Sequence, residues 1–117
     1  MRLRYRLLNV FAHEDDPFSG NPLCVFEDGS ALSDDQMLAL ARQFNLSETT
    51  FLVPPAPGAD AGVRIFTASF EMPFAGHPTL GTAHVARELH GLGDRLGLSM
   101  PAGVIPVAAD GDRWTLT

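Results

Sequence analysis

The sequence predicts an α+β domain in which a curled mixed sheet, barrel-like, wraps one buried helix while a second helix lies outside. Three observations carry this. Short apolar runs recur along the whole chain, several of them separated by turn residues such as Pro, Gly and Asp. One helical segment, Asp34 to Phe44, is apolar on one face only. The other, His77 to His90, is apolar or small around most of its circumference. A helix of the second kind is buried nearly all round, and with six or seven short strands available the element to bury it is a sheet bent around it.

Each element has a local reason. Tyr5 to Ala12 is apolar and aromatic and reads as a strand. Asp15-Asp16-Pro17-Phe18-Ser19-Gly20-Asn21-Pro22 is dense in turn residues and reads as a loop. Leu23 to Phe26 is a short second strand. Ser33-Asp34-Asp35-Gln36 has the form of a capping box, with Ser33 as N-cap. Met37, Leu40, Ala41 and Phe44 follow at helical spacing, which predicts a helix over Asp34 to Phe44. Thr49 to Val53 is β-branched and aromatic and is stopped by Pro54-Pro55. Gly62 to Thr67 alternates as a strand does. The second helix ends at Gly91 or Gly93. Leu96 to Met100, Val104 to Ala108 and Trp114 to Leu116 are three further strands, separated by Pro101-Ala102-Gly103 and Asp110-Gly111-Asp112.

Composition bounds the function. The 117 residues are enough for one domain with a real core, 45% of them apolar and 19% charged. A net charge of −6 argues against nucleic acid and anionic membranes as partners, because both require basic patches. One cysteine, Cys24, excludes an internal disulfide. The basic N-terminus is not followed by an apolar run of signal length, and no run has the length of a membrane span. The expectation is a soluble, cytoplasmic protein.

Glu71-Met72-Pro73-Phe74-Ala75-Gly76-His77-Pro78-Thr79-Leu80-Gly81 opens the buried helix without the Ser, Thr, Asp or Asn that capping favours. Pro78 suits the first helical position, where a missing N–H costs nothing. Gly76 permits close approach to the backbone. Free N–H groups of His77, Thr79 and Leu80, with the positive end of the helix dipole behind them, would form a site for a carboxylate, and His77 would add a hydrogen bond or a proton. Spacing alone leaves a purely structural capping turn equally open. Glu48, by itself, reads as a solvated loop carboxylate. Its neighbours Phe44, Leu46 and Phe51 are apolar, however, the setting in which a carboxylate serves as a general base.

Taken in order, Phe18-Ser19-Gly20-Asn21-Pro22, Asn45-Leu46-Ser47-Glu48-Thr49-Thr50-Phe51, Arg64-Ile65-Phe66-Thr67 and Pro73-Phe74-Ala75-Gly76-His77-Pro78-Thr79-Leu80-Gly81-Thr82 closely resemble the PhzF-like isomerases of phenazine biosynthesis. That family is similar in fold to diaminopimelate epimerase: two pseudo-symmetric domains, each a curled sheet around a helix, with the active site between them. The resemblance covers this chain as a single domain, residues 1 to 117, equivalent to the first half only. It implies a cofactor-independent isomerase that moves a proton between carbons of a small unsaturated or cyclic carboxylic acid. Glu48 and His77 are then catalytic, and Asn21, Gly76, Pro78 and Thr79 bind substrate. Where the epimerases carry a proton-exchanging cysteine this chain has Ala75, so two-thiol chemistry is not expected, and Cys24 reads as a small buried hydrophobe.

No metal or nucleotide cofactor is implied. His84 and His90 lack the i, i+4 spacing of a helical metal pair, and His13-Glu14-Asp15-Asp16 reads as a solvated acidic loop. The expected partners are a small carboxylate and either a second copy, forming a homodimer, or a second domain absent from this chain. The alternative is a non-catalytic truncated half or interaction module that keeps the fold without a complete site.

Overall fold

The computed structural model describes residues 2–12, 15–16 and 18–117. Its elements, in order, are β1 (Tyr5–Val10), β2 (Asn21–Phe26), α1 (Asp34–Phe44), β3 (Glu48–Val53), β4 (Ala61–Phe66), β5 (Glu71–Met72), α2 (Gly76–His90), β6 (Arg95–Met100), β7 (Gly103–Asp110) and β8 (Arg113–Leu116). The strands form one sheet in the order β1-β2-β3-β4-β6-β7-β8, with β5 also paired to β4. The β2–β3 and β4–β6 pairs are parallel and the others antiparallel. Both parallel pairs are joined through a helix, as a crossover demands.

Strand alternation sorts side chains to the two faces of this sheet. On β3, Thr50 and Leu52 face α2: the Thr50 hydroxyl lies 2.7 Å from that of Thr82, and Leu52 packs with Leu80, Ala83, Val85 and Ala86. Phe51 and Val53 face the other way, toward Met37 and Ala41 of α1. The molecule therefore has two apolar clusters, one inside the curl around α2 and one between the sheet and α1.

Local signals explain both helices. At α1, Ser33 Oγ accepts the Gln36 N–H at 3.2 Å and Gln36 Oε1 accepts the Ser33 N–H at 2.9 Å, completing the capping box. The helix closes on Asn45 at φ 54°, a left-handed residue that Asn tolerates. α2 closes on Gly91 in the same conformation. Pro78, Thr79, Leu80, Gly81, Thr82, Ala83, Val85 and Ala86 are all buried, which is the enclosure its composition predicts. Gly81 is required by close packing, since a Cβ there would lie 2.6 Å from Leu23 Cδ2 and 2.8 Å from Val10 Cγ2. At the far end, Arg87 bonds Asp94 and the Gly111 carbonyl and sits 4.7 Å from the Trp114 ring centre, tying α2 to the last strands.

Three expectations need correction. β1 stops at Val10 rather than Ala12, because Phe11 turns at φ 62°. β5, two residues long, carries too few side chains to leave a periodic signal; it brings Glu71 onto Arg64, whose guanidinium donates to both carboxylate oxygens at 2.8 and 2.7 Å. Pro78 occupies the third helical position rather than the first, since Ala75 is the N-cap. All of the first three positions lack an intrahelical acceptor for their N–H, so proline is tolerated at either place. Among the described residues no helix is long and apolar enough to cross a membrane.

Candidate active site

Glu48 is the first residue of β3, on the same strand face as Thr50 and Leu52, so alternation aims it toward α2. Its height along the sheet matches the start of that helix. The Thr50–Thr82 contact holds α2 against β3 one turn further in. Thr82 itself donates to the Pro78 carbonyl at 2.6 Å, which leaves the Thr50 hydroxyl as donor between the two threonines. His77, the second residue of α2, then falls opposite Glu48.

The result is a close pair. His77 Nε2 lies 3.3 Å from Glu48 Oε2, and the side chains are only 13% and 15% exposed. The separation is within ion-pair range, yet the alignment is too poor for a hydrogen bond. Both atoms are buried without a hydrogen-bond partner among the described residues. Buried polar atoms are nearly always satisfied, so this pair of orphaned atoms marks the strongest candidate for a functional site among the described residues.

The helix start adds donors. Ala75 has no side-chain cap, and no acidic residue lies in the first turn. The Thr79 N–H reaches the Ala75 carbonyl at 3.3 Å, and the Leu80 N–H falls to Gly76 by helical geometry. The expected set of free donors is thereby corrected. Gly76 and His77 have no intrahelical acceptor, Pro78 has no N–H, and Thr79 and Leu80 are committed. Thr79 is also turned into the core, its hydroxyl donating to the Ala75 carbonyl at 2.6 Å, so neither of its polar groups faces a ligand. Pro78 is likewise buried. A Cβ on Gly76 would meet nothing within 4 Å, so the backbone beside His77 faces open space.

Asn21 opens β2, paired with Val10, and stands two residues before Leu23, the partner of Glu48 in the parallel register. It therefore shares a sheet end and a strand face with Glu48, and it is exposed. Phe11 follows Val10 at that same end, its ring centre 6.4 Å from that of His77. Sequence reasoning hides it inside an apolar strand, and only the backbone turn at its own φ brings it out.

Cys24 belongs elsewhere. It pairs with Leu7 and Thr49, packs in the cluster on the α1 side, and burial pushes its thiol up to about 12. It remains a neutral thiol at neutral pH, on the opposite sheet face from Glu48. His84 bonds Trp114 and lies 3.1 Å from Glu88, apart from the pair. Of the acidic loop, His13 and Glu14 lie outside the described residues. A groove of about 540 Å³ runs between the edge strands β1 and β8 over α2, lined by Leu8, Val10, Phe11, Gly81, His84 and Trp114 among others; it reaches neither Glu48 nor His77.

Comparison with known proteins agrees with this arrangement of elements. The family described as phenazine biosynthesis-like protein matches residues 8–116. A trans-2,3-dihydro-3-hydroxyanthranilate isomerase of Pseudomonas aeruginosa is 46% identical over 107 residues, 92% of this chain and 37% of that protein. An uncharacterized isomerase of Pasteurella multocida is 46% identical over 86% of this chain and 35% of its own length. Among solved structures, a phenazine biosynthesis protein of the PhzF family from Enterococcus faecalis superposes with a TM-score of 0.87 at 31% identity, covering 99% of this chain and 44% of that one. A hydroxyproline epimerase from Agrobacterium vitis superposes at 0.66 with 16% identity, a likeness of fold alone. The chain thus spans well under half the length of these relatives. With a family match over nearly all of its residues and a relative of this identity across 92% of it, the chain belongs to the phenazine biosynthesis-like, PhzF family.

Proposed function

We propose that this chain supplies the base-bearing half of an isomerase that moves a proton between carbons of a small unsaturated or cyclic carboxylic acid by general acid–base catalysis, without a cofactor. The observation that carries this reading is the Glu48–His77 pair: 3.3 Å apart, buried, unsatisfied, and set beside an uncapped helix start with open space at Gly76. Glu48 takes a proton from one carbon and delivers it to another, so substrate and product have the same atoms and oxidation state. His77 donates a hydrogen bond to the substrate as charge develops. The Gly76 and His77 N–H groups, with the helix dipole, hold the carboxylate, and Asn21 contacts the substrate from the β2 side. The relatives named for trans-2,3-dihydro-3-hydroxyanthranilate, a cyclic unsaturated amino acid, set the class of substrate to try first. The acidic charge and the single buried thiol fit a cytoplasmic enzyme.

The site is open on the side where Phe11 stands 63% exposed. We assign the cover to a second copy of the chain in a two-fold dimer or to a second domain of similar shape. A second reading is a half that binds the carboxylate but does not catalyse; the chain covers 37% of the Pseudomonas aeruginosa relative's length.

The two readings separate in one experiment. The purified protein is incubated with trans-2,3-dihydro-3-hydroxyanthranilate in D2O, product is followed by proton NMR, and deuterium incorporation by mass spectrometry. Product, with or without deuterium at carbon, is the expected result. Saturable binding of the carboxylate without product would establish the binding half. Light scattering on the same sample reads the assembly.

A further inference from the structure

We infer that Phe11 is the ring platform of this site, the residue that makes it prefer planar, unsaturated carboxylates over saturated ones of the same size. The inference rests on the functional reading above and adds a determinant of specificity to it.

Two non-glycine residues of the described chain have positive φ, Asn45 and Phe11. Asn45 caps a helix and is of a type that tolerates the left-handed region. Phe11 caps nothing, and for a bulky side chain that conformation is an outlier. Such backbone persists only where the surroundings impose it. Here Gly20 does: a Cβ on Gly20 would collide with the Val10 carbonyl oxygen and lie 2.8 Å from the Ala12 nitrogen, so the following loop lies flush against the backbone on both sides of Phe11.

The bend has a consequence for the ring. Val10 faces inward and is buried in the α2 cluster. Continued alternation would send Phe11 to the outer face. The left-handed turn instead re-aims it to the α2 side, where its ring centre lies 6.4 Å from His77 at an interplanar angle of 53°. The residue is 63% exposed while its ring lies beside His77, whose Nε2 is buried without a hydrogen-bond partner among the described residues. An exposed aromatic held in an unfavourable conformation beside a carboxylate-binding turn presents a π face to whatever that turn holds. Planar rings gain from such a face through stacked or edge contacts, and a saturated ring of equal volume does not.

The test is a ratio of affinities, measured by calorimetric titration of the protein as its gene encodes it. The probes are benzoate and cyclohexanecarboxylate, which share a carboxylate on a six-membered carbon ring and differ in the ring's unsaturation and planarity. The wild type binds benzoate more tightly. Phe11→Leu reduces that preference by about 2- to 12-fold, the worth of one aromatic pair, and leaves cyclohexanecarboxylate nearly unaffected, while Phe11→Tyr keeps the preference. In the wild type, nuclear Overhauser contacts join the benzoate ring protons to the Phe11 ring, a readout that needs no variant. Equal binding of both probes by the wild type, or a preference unchanged by Phe11→Leu, overturns the platform while leaving the carboxylate site in place. Loss of both probes in equal proportion also overturns the platform, because Phe11 would then hold the fold rather than read the ring. Failure of the wild type to bind either probe overturns the platform together with the carboxylate reading of the cleft.

Discussion

The two helices begin in opposite ways. α1 starts on Ser33, with reciprocal bonds between Ser33 and Gln36 and with Asp34 and Asp35 in its first turn. Every device that steadies a helix start is present. α2 starts on Ala75, with no side-chain cap, no acidic residue in its first turn, and a proline at the third position. Its stability comes from burial, since nearly every residue of its first three turns is packed inside the curl. The contrast separates two uses of the same chemistry. Where the positive end of a helix is neutralised by its own sequence, it contributes stability and has nothing left for a ligand. At α2 the neutralising groups are withheld, and the nearest carboxylate, Glu48, comes from a neighbouring strand.

The largest effect on this contrast comes from Glu48 itself. Glu48→Gln preserves size and removes the proposed base. Turnover falls by at least about 10²-fold, the typical worth of general acid–base catalysis, while the variant, which keeps the size of the side chain, stays folded in urea unfolding. Turnover that survives in a folded variant removes Glu48 from the chemistry.

Gly81→Ala tests the claim that α2 is stabilised by burial. In an exposed helix the change would stabilise by roughly 1 kcal/mol. Here the new methyl meets Leu23 Cδ2 at 2.6 Å and Val10 Cγ2 at 2.8 Å, and both side chains are themselves packed in the core. Overpacking of this kind costs about 1–3 kcal/mol, so the net change in urea unfolding is destabilising. A net gain would mean that the two side chains swing aside freely and that the enclosure of α2 is loose.

How much of this was legible in the sequence follows from the range of the forces involved. The α1 start was, because Ser33 and Gln36 act within one turn. So was the burial of α2, because its first three turns are apolar or small around most of their circumference. Glu48 and His77 could be nominated from their motifs, but their 3.3 Å approach depends on the register of β2 with β3 and on the Thr50–Thr82 contact, which join residues far apart in the chain. Pro78 was misplaced within the first turn because the first three helical positions are alike in needing no acceptor. Phe11 was invisible as anything but a strand residue, since its exposure follows from a backbone angle imposed by Gly20. β5 was missed because two residues cannot show a period.

Ser33→Ala is the matching perturbation at the other helix. It removes the acceptor for the Gln36 N–H, and chemical unfolding shows a loss of about 1 kcal/mol. Turnover stays at the wild-type value, because α1 lies on the outer side of the sheet. A fall in turnover comparable to that of a site variant would show that the two helix starts are not independent.

The smallest effect, and the sharpest on the comparison, is expected from giving α2 the cap it lacks. Ala75 has φ −155° and ψ 141°, the extended backbone an N-cap serine adopts. A serine there has fewer donors than usual, because Pro78 stands at the third position and offers no N–H; the hydroxyl can accept only from His77. The gain in stability is therefore at the low end for a cap, about 0.5 kcal/mol. That same N–H is one of the two assigned to the substrate carboxylate, so Ala75→Ser makes the side chain compete with substrate. KM rises a few-fold while kcat is held, since Glu48 and the proton path are untouched. Steady-state kinetics and urea unfolding on the one variant read both halves of the trade. Stabilisation with an unchanged KM would show that the helix start caps itself and leaves the carboxylate to other groups, and the contrast between the two helices would then be one of stability alone.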